Sequence, residues 1–264
     1  EGNGILSRAT EAVHYEGERY CVGLPWKDKV ESWPNTFGMA NNRLRSLRRM
    51  LDKQPEVKEL YQRVLQEYIE KGYISEMGSV SRDEQQWILP HFPVVKRNQG
   101  EIKLRIVFDA AAQVQGRCLN DYLHTGPKLQ SELLDVLLRM RKNRYVISCD
   151  IKEMYLQVEV CKDDRKFLRF LGEDDQSGIL KTFEFNRVVF GLNSSPFLAQ
   201  LVSRINADQF EEKYPRAVEV IKKSTYRDDY IDSLHSEKEA TKLFRQLEAI
   251  WGHAGMEVHK LASN

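Results

Sequence analysis

The stretch Thr225–Ser233 reads Thr-Tyr-Arg-Asp-Asp-Tyr-Ile-Asp-Ser and places two adjacent carboxylates between short runs of β-forming residues. This pattern predicts a tight β-hairpin with Asp228 and Asp229 at its tip. Because neighbouring carboxylates repel each other, we expect a cation to neutralise them, and their hard oxygen ligands suit Mg²⁺ or Mn²⁺. Taken alone, an ordinary solvated turn is the simpler interpretation, because Asp-Asp is common in turns.

The composition is that of a globular protein with a core of its own. The chain has 264 residues, of which 41% are hydrophobic and 30% are charged. No apolar run is long enough to span a bilayer, so we expect no membrane partner. The net charge of +1 does not by itself indicate a nucleic-acid binder. The four cysteines form no C-x-x-C pair, which argues against zinc or a disulfide framework and is typical of an intracellular setting.

Three segments precede the first motif that suggests a binding or catalytic function. Residues 1–40 are punctuated by Gly, Pro and Asn and predict an irregular leader. A helix over 41–53 and a second helix from Pro55 to Gly72 follow, each with one apolar stripe. We expect the first helix to turn three leucines inward, Leu44, Leu47 and Leu51.

Residues 87–109 predict a β-hairpin with its turn at Asn98-Gln99-Gly100. In the second strand, Lys103 and Arg105 alternate with apolar residues, so one face is cationic and the other is apolar. A cationic face is suited to binding phosphates, and an ordinary amphipathic hairpin explains the pattern equally well.

A predicted helix over 129–141 has a core stripe of four leucines, Leu133, Leu134, Leu137 and Leu138. A buried strand over 145–149 follows and ends at Asp150, with the aromatic Tyr155 five residues further on. A carboxylate at the end of a strand often only caps the next turn, and Tyr155 could be a core residue.

Strands over 165–171 and 180–189 come next, and the segment Phe190–Pro196 then opens a long helix. Pro196 suits the first turn of that helix, with one of the two preceding serines as its cap. The segment is either a simple helix start or a glycine-hinged loop that lines a nucleotide site. A further helix and a strand follow the aspartate hairpin.

Five segments occur in an order that is specific, although each is common by itself. They are Lys103–Asp109, Asp150–Tyr155, Phe190–Pro196, Tyr226–Asp229 and Lys260–Asn264. With these segments the chain resembles the reverse transcriptases, and most closely those of BEL/Pao-type LTR retrotransposons, from about Gly23 to its last residue.

The resemblance implies an α+β fold with the fingers and palm of a right-hand polymerase, an antiparallel palm sheet backed by helices, and no thumb. Residues 1–40 would be the leader and 41–264 the reverse-transcriptase domain. Fingers would lie at about 41–118 and 158–194, and palm at about 119–157 and 195–264. Because the chain starts with Glu1, we expect a segment of a longer polyprotein with thumb, RNase H, integrase and protease outside it.

The implied activity is RNA-directed DNA polymerase, a nucleotidyltransferase that extends a primer 3′-hydroxyl with dNTPs on an RNA or DNA template. Two metal ions, Mg²⁺ or else Mn²⁺, would serve the reaction. The catalytic residues and metal ligands would be three carboxylates, Asp150, Asp228 and Asp229.

The resemblance also implies which residues contact the nucleotide. Lys103 and Arg105 would bind the triphosphate, and Tyr155 would be the steric gate that excludes a ribose 2′-hydroxyl. Four residues would shape the nucleotide and template side of the site, Phe190, Gly191, Ser195 and Pro196. Lys260 lies where the family has a lysine thought to protonate the pyrophosphate, and a surface lysine is the alternative interpretation.

Two residues depart from the family pattern. Arg227 stands where relatives usually carry Val or another apolar residue, and Gly172 stands where an aromatic residue is expected. Both favour an alternative function, a catalytically decayed element copy that keeps the fold and at most binds nucleic acid. A third possibility, an RNA-dependent RNA polymerase, is disfavoured by Tyr155, because RNA synthesis must admit the 2′-hydroxyl.

Overall fold

The structure, a computed structural model, describes residues 2–27, 32–78, 85–98, 101–174, 177–226 and 229–264. The α-helices in these ranges are α1 Gly2–Glu11, α2 Phe37–Asp52, α3 Pro55–Glu70, α4 Leu133–Met140, α5 Lys162–Arg165, α6 Ser195–Asp208, α7 Pro215–Lys223 and α8 Glu237–His253. The strands are β1 Val13–Tyr15, β2 Tyr20–Val22, β3 Ile74–Met77, β4 Ile88–Leu89, β5 His91–Asn98, β6 Glu101–Phe108, β7 Tyr145–Ile151, β8 Glu159–Val160, β9 Arg169–Glu173, β10 Leu180–Phe185, β11 Thr225–Tyr226, β12 Asp229–Leu234 and β13 Val258–Ser263.

The chain divides into two compact units. The first unit comprises Glu1–Val22, Gly126–Glu159 and Pro196–Asn264, and the second comprises Gly23–Thr125 and Val160–Ser195. Both contain helices and mainly antiparallel strands, which confirms the predicted α+β class. None of the helices in the described ranges has the length and apolar character needed to cross a membrane.

The first unit is built on a four-stranded antiparallel sheet in the order β11-β12-β7-β13. One face of the central strand β7 is fully covered, since Ile147, Cys149 and Ile151 are buried. Helix α8 packs on this face, where the ring of Tyr230 lies 4.2 Å from that of Trp251. The predicted antiparallel sheet backed by helices is therefore confirmed.

The N-terminal region shows that the prediction of irregular structure was wrong for residues 2–22. This segment forms α1 and an antiparallel β1–β2 hairpin. Its partners are distant in sequence: the Arg19 guanidinium donates to the carbonyl of Gly255 at 2.9 Å, and the Tyr15 hydroxyl donates to that of His253 at 3.0 Å. Because long-range contacts order the hairpin, local sequence patterns could not predict it.

Helix α4 is shorter than predicted and buries a different face. Leu133, Leu134 and Leu138 are 44%, 66% and 60% exposed, whereas Val136 is completely buried. The predicted leucine stripe was therefore wrong. The four leucines share one side of this eight-residue helix and Val136 lies on another, so periodicity identified an apolar face but not the buried one.

The region between β8 and β9 also differs from its prediction. Residues 165–168 are not part of a strand: α5 ends at Arg165, and β9 begins only at Arg169. The Arg165 side chain closes this turn by donating to the Val160 carbonyl at 2.7 Å and to Asn186 Oδ1 at 3.1 Å. These side-chain bonds stabilise a turn in a segment whose composition favours strand.

The second unit contains the predicted β5–β6 hairpin, in which Lys96 lies directly opposite Lys103. Its turn at Gln99–Gly100 lies outside the described residues. A separate sheet has the order β3-β10-β9-β4, with β4 and β9 parallel and the other pairs antiparallel. The two predicted helices are confirmed as α2 and α3, and all three leucines expected to face inward are buried, Leu44, Leu47 and Leu51.

Packing explains why Gly172 stands at a position where an aromatic residue was expected. A Cβ at Gly172 would lie 2.8 Å from the ring of Phe183 on the paired strand β10. That ring stacks on Phe170, with centroids 5.3 Å apart. The glycine therefore leaves room for an aromatic pair that its neighbours supply.

A buried histidine lies within the same aromatic cluster. His91 is 4% exposed, its Nε2 lies 2.6 Å from the Tyr61 hydroxyl, and its ring stacks on Phe108 at 5.4 Å. Burial lowers the pKa of His91 from 6.5 to about 4. The imidazole is therefore neutral in the folded unit at any pH above that value.

We expect the stability of the second unit to fall between pH 7 and pH 5. Below about pH 6.5 the unfolded chain gains a proton on His91 that the folded chain cannot take until about pH 4. The contribution of neutral His91 to the free energy of unfolding is fully present above the pKa that this residue has in the unfolded chain. At pH 5 the free energy of unfolding should be lower by about 2 kcal/mol. Urea unfolding followed by tryptophan fluorescence measures it, because Trp26, Trp33 and Trp87 lie in this unit.

The matched variants are His91→Gln, which keeps an acceptor for Tyr61, and His235→Gln at an exposed histidine. The first should flatten the pH dependence and the second should leave it unchanged. An unchanged slope in His91→Gln would assign the pH dependence to other groups.

Candidate active site

The pairing of β7 with β12 brings two acidic side chains together at the end of the sheet. Asp150 is the direct antiparallel partner of Asp229. Residues directly opposite each other in such a ladder point to the same face, with Cβ atoms about 4.5–5.5 Å apart. Their neighbours Cys149 and Tyr230 point to the buried face. The sheet therefore presents two carboxylates side by side on the face opposite to the one that α8 covers.

The other two residues of the hairpin tip, Arg227 and Asp228, lie outside the described residues. The role of Asp228 as a metal ligand stays a prediction, as does the effect of Arg227.

Among the residues that the structure describes, Asp150 has one ionic partner, and one of its oxygens has no hydrogen-bond partner. Its Oδ2 lies 3.0 Å from the Nζ of Lys260. Its Oδ1 is buried and accepts no hydrogen bond from any described residue. Since a buried carboxylate oxygen without a partner is costly, Oδ1 is suited to a ligand that supplies positive charge.

The position of Lys260 comes from an irregularity in β13. His259 pairs with Asp150 on the side of β7 away from β12, and the register shifts between His259 and Ala262. Lys260 lies in this bulge with φ +50. Sequence patterns gave no signal for His259 as a neighbour of Asp150, because a bulge sets its register.

The negative charge of the site also acts on the thiol beneath it. The pKa of Cys149 is raised to about 12, mainly by burial and further by the charges of Asp150 and Asp229. Cys149 is therefore a neutral core residue at physiological pH.

The donor set of the site fits a divalent cation. Paired carboxylates are hard oxygen ligands of the kind that Mg²⁺ and Mn²⁺ prefer, and Asp150 Oδ1 is available. Within the part of the chain that the structure describes, no three His, Cys, Asp or Glu side chains cluster closely enough to hold a metal. The roles of Asp150, Asp229 and Asp228 as metal ligands stay a prediction.

Tyr155 lies in the same unit, in a 3₁₀ turn at Met154–Gln157 that follows β7. Glu153 begins this turn with φ +51, and the Leu156 amide donates to its carbonyl at 2.8 Å. The tyrosine is half-buried. Its function as a steric gate stays a prediction.

The segment before α6 is held in place by asparagines. Gly191 has φ +114, and a Cβ there would lie 2.0 Å from the Phe108 carbonyl oxygen. Asn120 Nδ2 donates to the Gly191 carbonyl at 3.1 Å, and its Oδ1 accepts from the Asn193 amide at 2.9 Å. Sequence reasoning missed both asparagines, because their pairing joins positions that are far apart in the chain.

The remaining predicted residues of this loop differ in accessibility. Ser195 is buried and its hydroxyl donates to the Val189 carbonyl at 2.6 Å, so its side chain holds the loop. Phe190 is 48% exposed, and Pro196 is the exposed second residue of α6. Gly191 is exposed as well.

Lys103 and Arg105 are exposed on β6, with the buried Ile106 on the opposite face. The direct partner of Lys103 across the hairpin is Lys96, so two cations face each other. The proximity of Lys103 and Arg105 to the carboxylates stays a prediction.

The chain matches one protein family and is similar to solved structures. Residues 97–261, more than half of the chain, match the family described as "Reverse transcriptase (RNA-dependent DNA polymerase)". A search of curated protein sequences gives no match. Among solved structures, the chain is similar to a foamy viral protease–reverse transcriptase dRH in complex with double-stranded DNA, with 20% identity, a TM-score of 0.57, and coverage of 76% of this chain and 30% of that one.

A second similar structure is the foamy viral protease–reverse transcriptase in complex with an RNA/DNA hybrid. It has 20% identity and a TM-score of 0.57, and the match covers 78% of this chain and 24% of that one. The chain therefore spans less than a third of either protein, and the likeness shows a common fold.

We expect Gly191→Ala to destabilise the second unit by about 2–3 kcal/mol, because the new Cβ combines an unfavourable φ with a clash against backbone. Gly178→Ala is the matched control: it has φ +66 with no atom within 4 Å, so only the backbone strain applies and the cost should be about 1 kcal/mol. Urea unfolding of both variants measures the difference. Equal costs would mean that the loop moves freely away from Phe108.

Proposed function

Because the chain belongs to the reverse transcriptase (RNA-dependent DNA polymerase) family, we propose that it is the RNA-directed DNA polymerase part of a longer protein. The reaction would be template-directed transfer of a nucleotide from a dNTP to a primer 3′-hydroxyl. The observation that carries the proposal is the cross-strand pair of Asp150 and Asp229, with a buried carboxylate oxygen that no described residue satisfies.

The carboxylates would hold two divalent cations, Mg²⁺ with Mn²⁺ as a substitute. When bound, such cations lower the pKa of the primer hydroxyl and stabilise the charge that develops on the pyrophosphate. Asp150 and Asp229 are fixed by the β7–β12 ladder, and Asp228 would complete the set. Because the ladder orients the carboxylates in advance, little reorganisation is needed when substrate binds.

The hairpin of the second unit would bind the triphosphate. Like charges directly opposite each other destabilise a β-hairpin, and Lys96 and Lys103 stand in this relation. A cationic face of this kind attracts anions, and Arg105 adds a guanidinium suited to phosphate. These charges support the assignment of Lys103 and Arg105 to dNTP binding.

The remaining residues would select and position the nucleotide. Tyr155 would exclude the ribose 2′-hydroxyl by filling its space. Phe190 is exposed enough to contact a sugar or base, and Gly191 and Pro196 would line the template side. Ser195 would contribute by holding the loop through its bond to backbone. Lys260 would act near the pyrophosphate.

We further propose the first unit as palm and the second as fingers, with boundaries close to those predicted from the sequence. The partners would be a primer–template duplex, for which the similar foamy viral complexes with double-stranded DNA and an RNA/DNA hybrid give support, and dNTPs. The BEL/Pao-type motifs suggest a retrotransposon polyprotein as the parent, with thumb, RNase H, integrase and protease in other segments.

The test is primer extension on an RNA template with dNTPs and Mg²⁺ or Mn²⁺, using the protein that contains this chain. Asp150→Asn keeps the shape of the side chain and removes its charge, so we expect activity to fall by about a thousandfold, or about 4 kcal/mol of transition-state stabilisation. Asp135→Asn, at an exposed aspartate of α4 in the same unit, should keep full activity. Equal activity in Asp150→Asn and the unaltered protein would reject the function.

Arg227 favours the second candidate, a decayed copy that keeps the fold and at most binds nucleic acid. A guanidinium next to two carboxylates competes with metal, and unit charges about 4 Å apart attract by about 4 kcal/mol at a surface-like dielectric. Decay through Arg227 would therefore show as weak activity and a raised metal requirement.

We expect Arg227→Val to increase primer extension and to lower the Mg²⁺ concentration needed for half-maximal activity. A titration of Mg²⁺ in the extension assay measures both effects. Full activity of the unaltered protein would remove the decay hypothesis, and an unchanged Mg²⁺ requirement in Arg227→Val would make Arg227 a tolerated variant.

A further inference from the structure

The ion pair between Lys260 and Asp150 differs from the surface ion pairs around it. Asp150 contributes a side chain that is only 15% exposed, whereas Lys260 is 72% exposed and reaches in from outside. The nearby pair of Lys152 and Glu257, with 3.2 Å between its charged atoms, has two exposed partners, at 45% and 67%. Lys260 is therefore directed at a carboxylate that solvent screens poorly.

The backbone at Lys260 is in a conformation that lysine rarely adopts. Its φ of +50 lies in the left-handed region, where residues other than Gly, Asn and Asp are uncommon. The residue lies in the irregularity of β13 between His259 and Ala262. Strained backbone of this kind persists where the surrounding structure holds it, and it is concentrated at functional sites.

The charges of the site explain why a lysine next to Asp150 is favourable. Asp150 and Asp229 are direct cross-strand partners, and like charges in this arrangement destabilise a sheet. The ammonium of Lys260 neutralises one of them through Oδ2, while Oδ1 stays without a hydrogen-bond partner in the described ranges. In this state the lysine supplies the positive charge that a divalent cation would otherwise supply.

We propose that Lys260 is the built-in counterion of the metal site. It holds Asp150 in the metal-free protein, and a divalent cation must displace it to use both oxygens of that carboxylate. The inference rests on the metal site of the proposed function and adds a role for Lys260 before substrate binds. Displacement releases the ammonium from Asp150.

Mn²⁺ binding, measured by electron paramagnetic resonance of the unbound ion, tests the competition without any need for catalysis. Lys260→Asn removes the charge and suits the left-handed backbone, so we expect Mn²⁺ to bind about fivefold more tightly, as for loss of an ion pair with one exposed member. Lys260→Arg keeps the charge and should bind as the unaltered protein does. Lys152→Gln removes a neighbouring lysine that is paired elsewhere and should change nothing.

The metal-free protein provides an independent measurement through a double-mutant cycle in EDTA. The effect of Lys260→Asn on the unfolding midpoint should be more destabilising when Asp150 is present than in an Asp150→Asn background, where only the changed backbone preference at position 260 remains. With saturating Mn²⁺, the midpoints of Lys260→Asn and the unaltered protein should converge, because the metal replaces the lysine as the source of positive charge.

The outcomes separate this inference from the function on which it rests. Unchanged Mn²⁺ affinity in Lys260→Asn, together with loss of binding in Asp150→Asn, rejects the counterion role and keeps the metal site. Mn²⁺ binding that survives Asp150→Asn rejects both. Equal effects of Lys260→Asn in the two backgrounds of the cycle show that the lysine acts without Asp150, and they overturn the inference as well.

Discussion

The arrangement of the first unit depends on one antiparallel pairing, that of β7 with β12. This ladder places Asp150 beside Asp229 on one face of the sheet, and it places Cys149 and Tyr230 on the opposite face, which packs against α8. Because side chains alternate along a strand, a slip of one residue would drive a carboxylate into the core and turn apolar side chains outward. The free energy of packing and the position of the site are thus set by the same register. The cost of this coupling is the electrostatic repulsion of two adjacent carboxylates, which the protein must offset with cations.

How much of this could be predicted from the sequence depended on the range of the interactions involved. The β5–β6 hairpin, α2 and α3 follow from local periodicity and turn residues, and they were predicted correctly. The N-terminal hairpin was missed, because distant groups such as the Gly255 carbonyl order it. Helix α4 was predicted with the wrong buried face, because its leucine face is mostly exposed and Val136 on another side is buried. The approach of Lys260 to Asp150 depends on a bulge, and nothing in the local pattern marks a shift of register.

Packing explains the two glycines that the sequence analysis named, Gly172 and Gly191. Gly172, read as a sign of decay, leaves the space that Phe183 occupies against Phe170, so the aromatic surface is supplied from the neighbouring strand. Gly191 is required by both its φ and the Phe108 carbonyl, and its loop is held by Asn120. The glycine that was predicted to line the nucleotide site thus has a structural reason of its own. Of the two departures from the family pattern, Gly172 has a packing reason, and the argument for decay therefore rests on Arg227.

Charge balance joins the remaining features of the site. Three carboxylates and two cationic side chains, Lys260 and Arg227, leave these five residues with one net negative charge. A divalent cation would bring further positive charge next to the ammonium of Lys260, so the lysine opposes metal binding for as long as it contacts Asp150. Lys260 is mostly exposed and lies in a strand irregularity, which makes its departure inexpensive in packing. An exposed lysine that can leave Asp150 is therefore compatible with a site that accepts metal. An arginine at position 227 would be compatible with metal binding only if its side chain faced away from the aspartates.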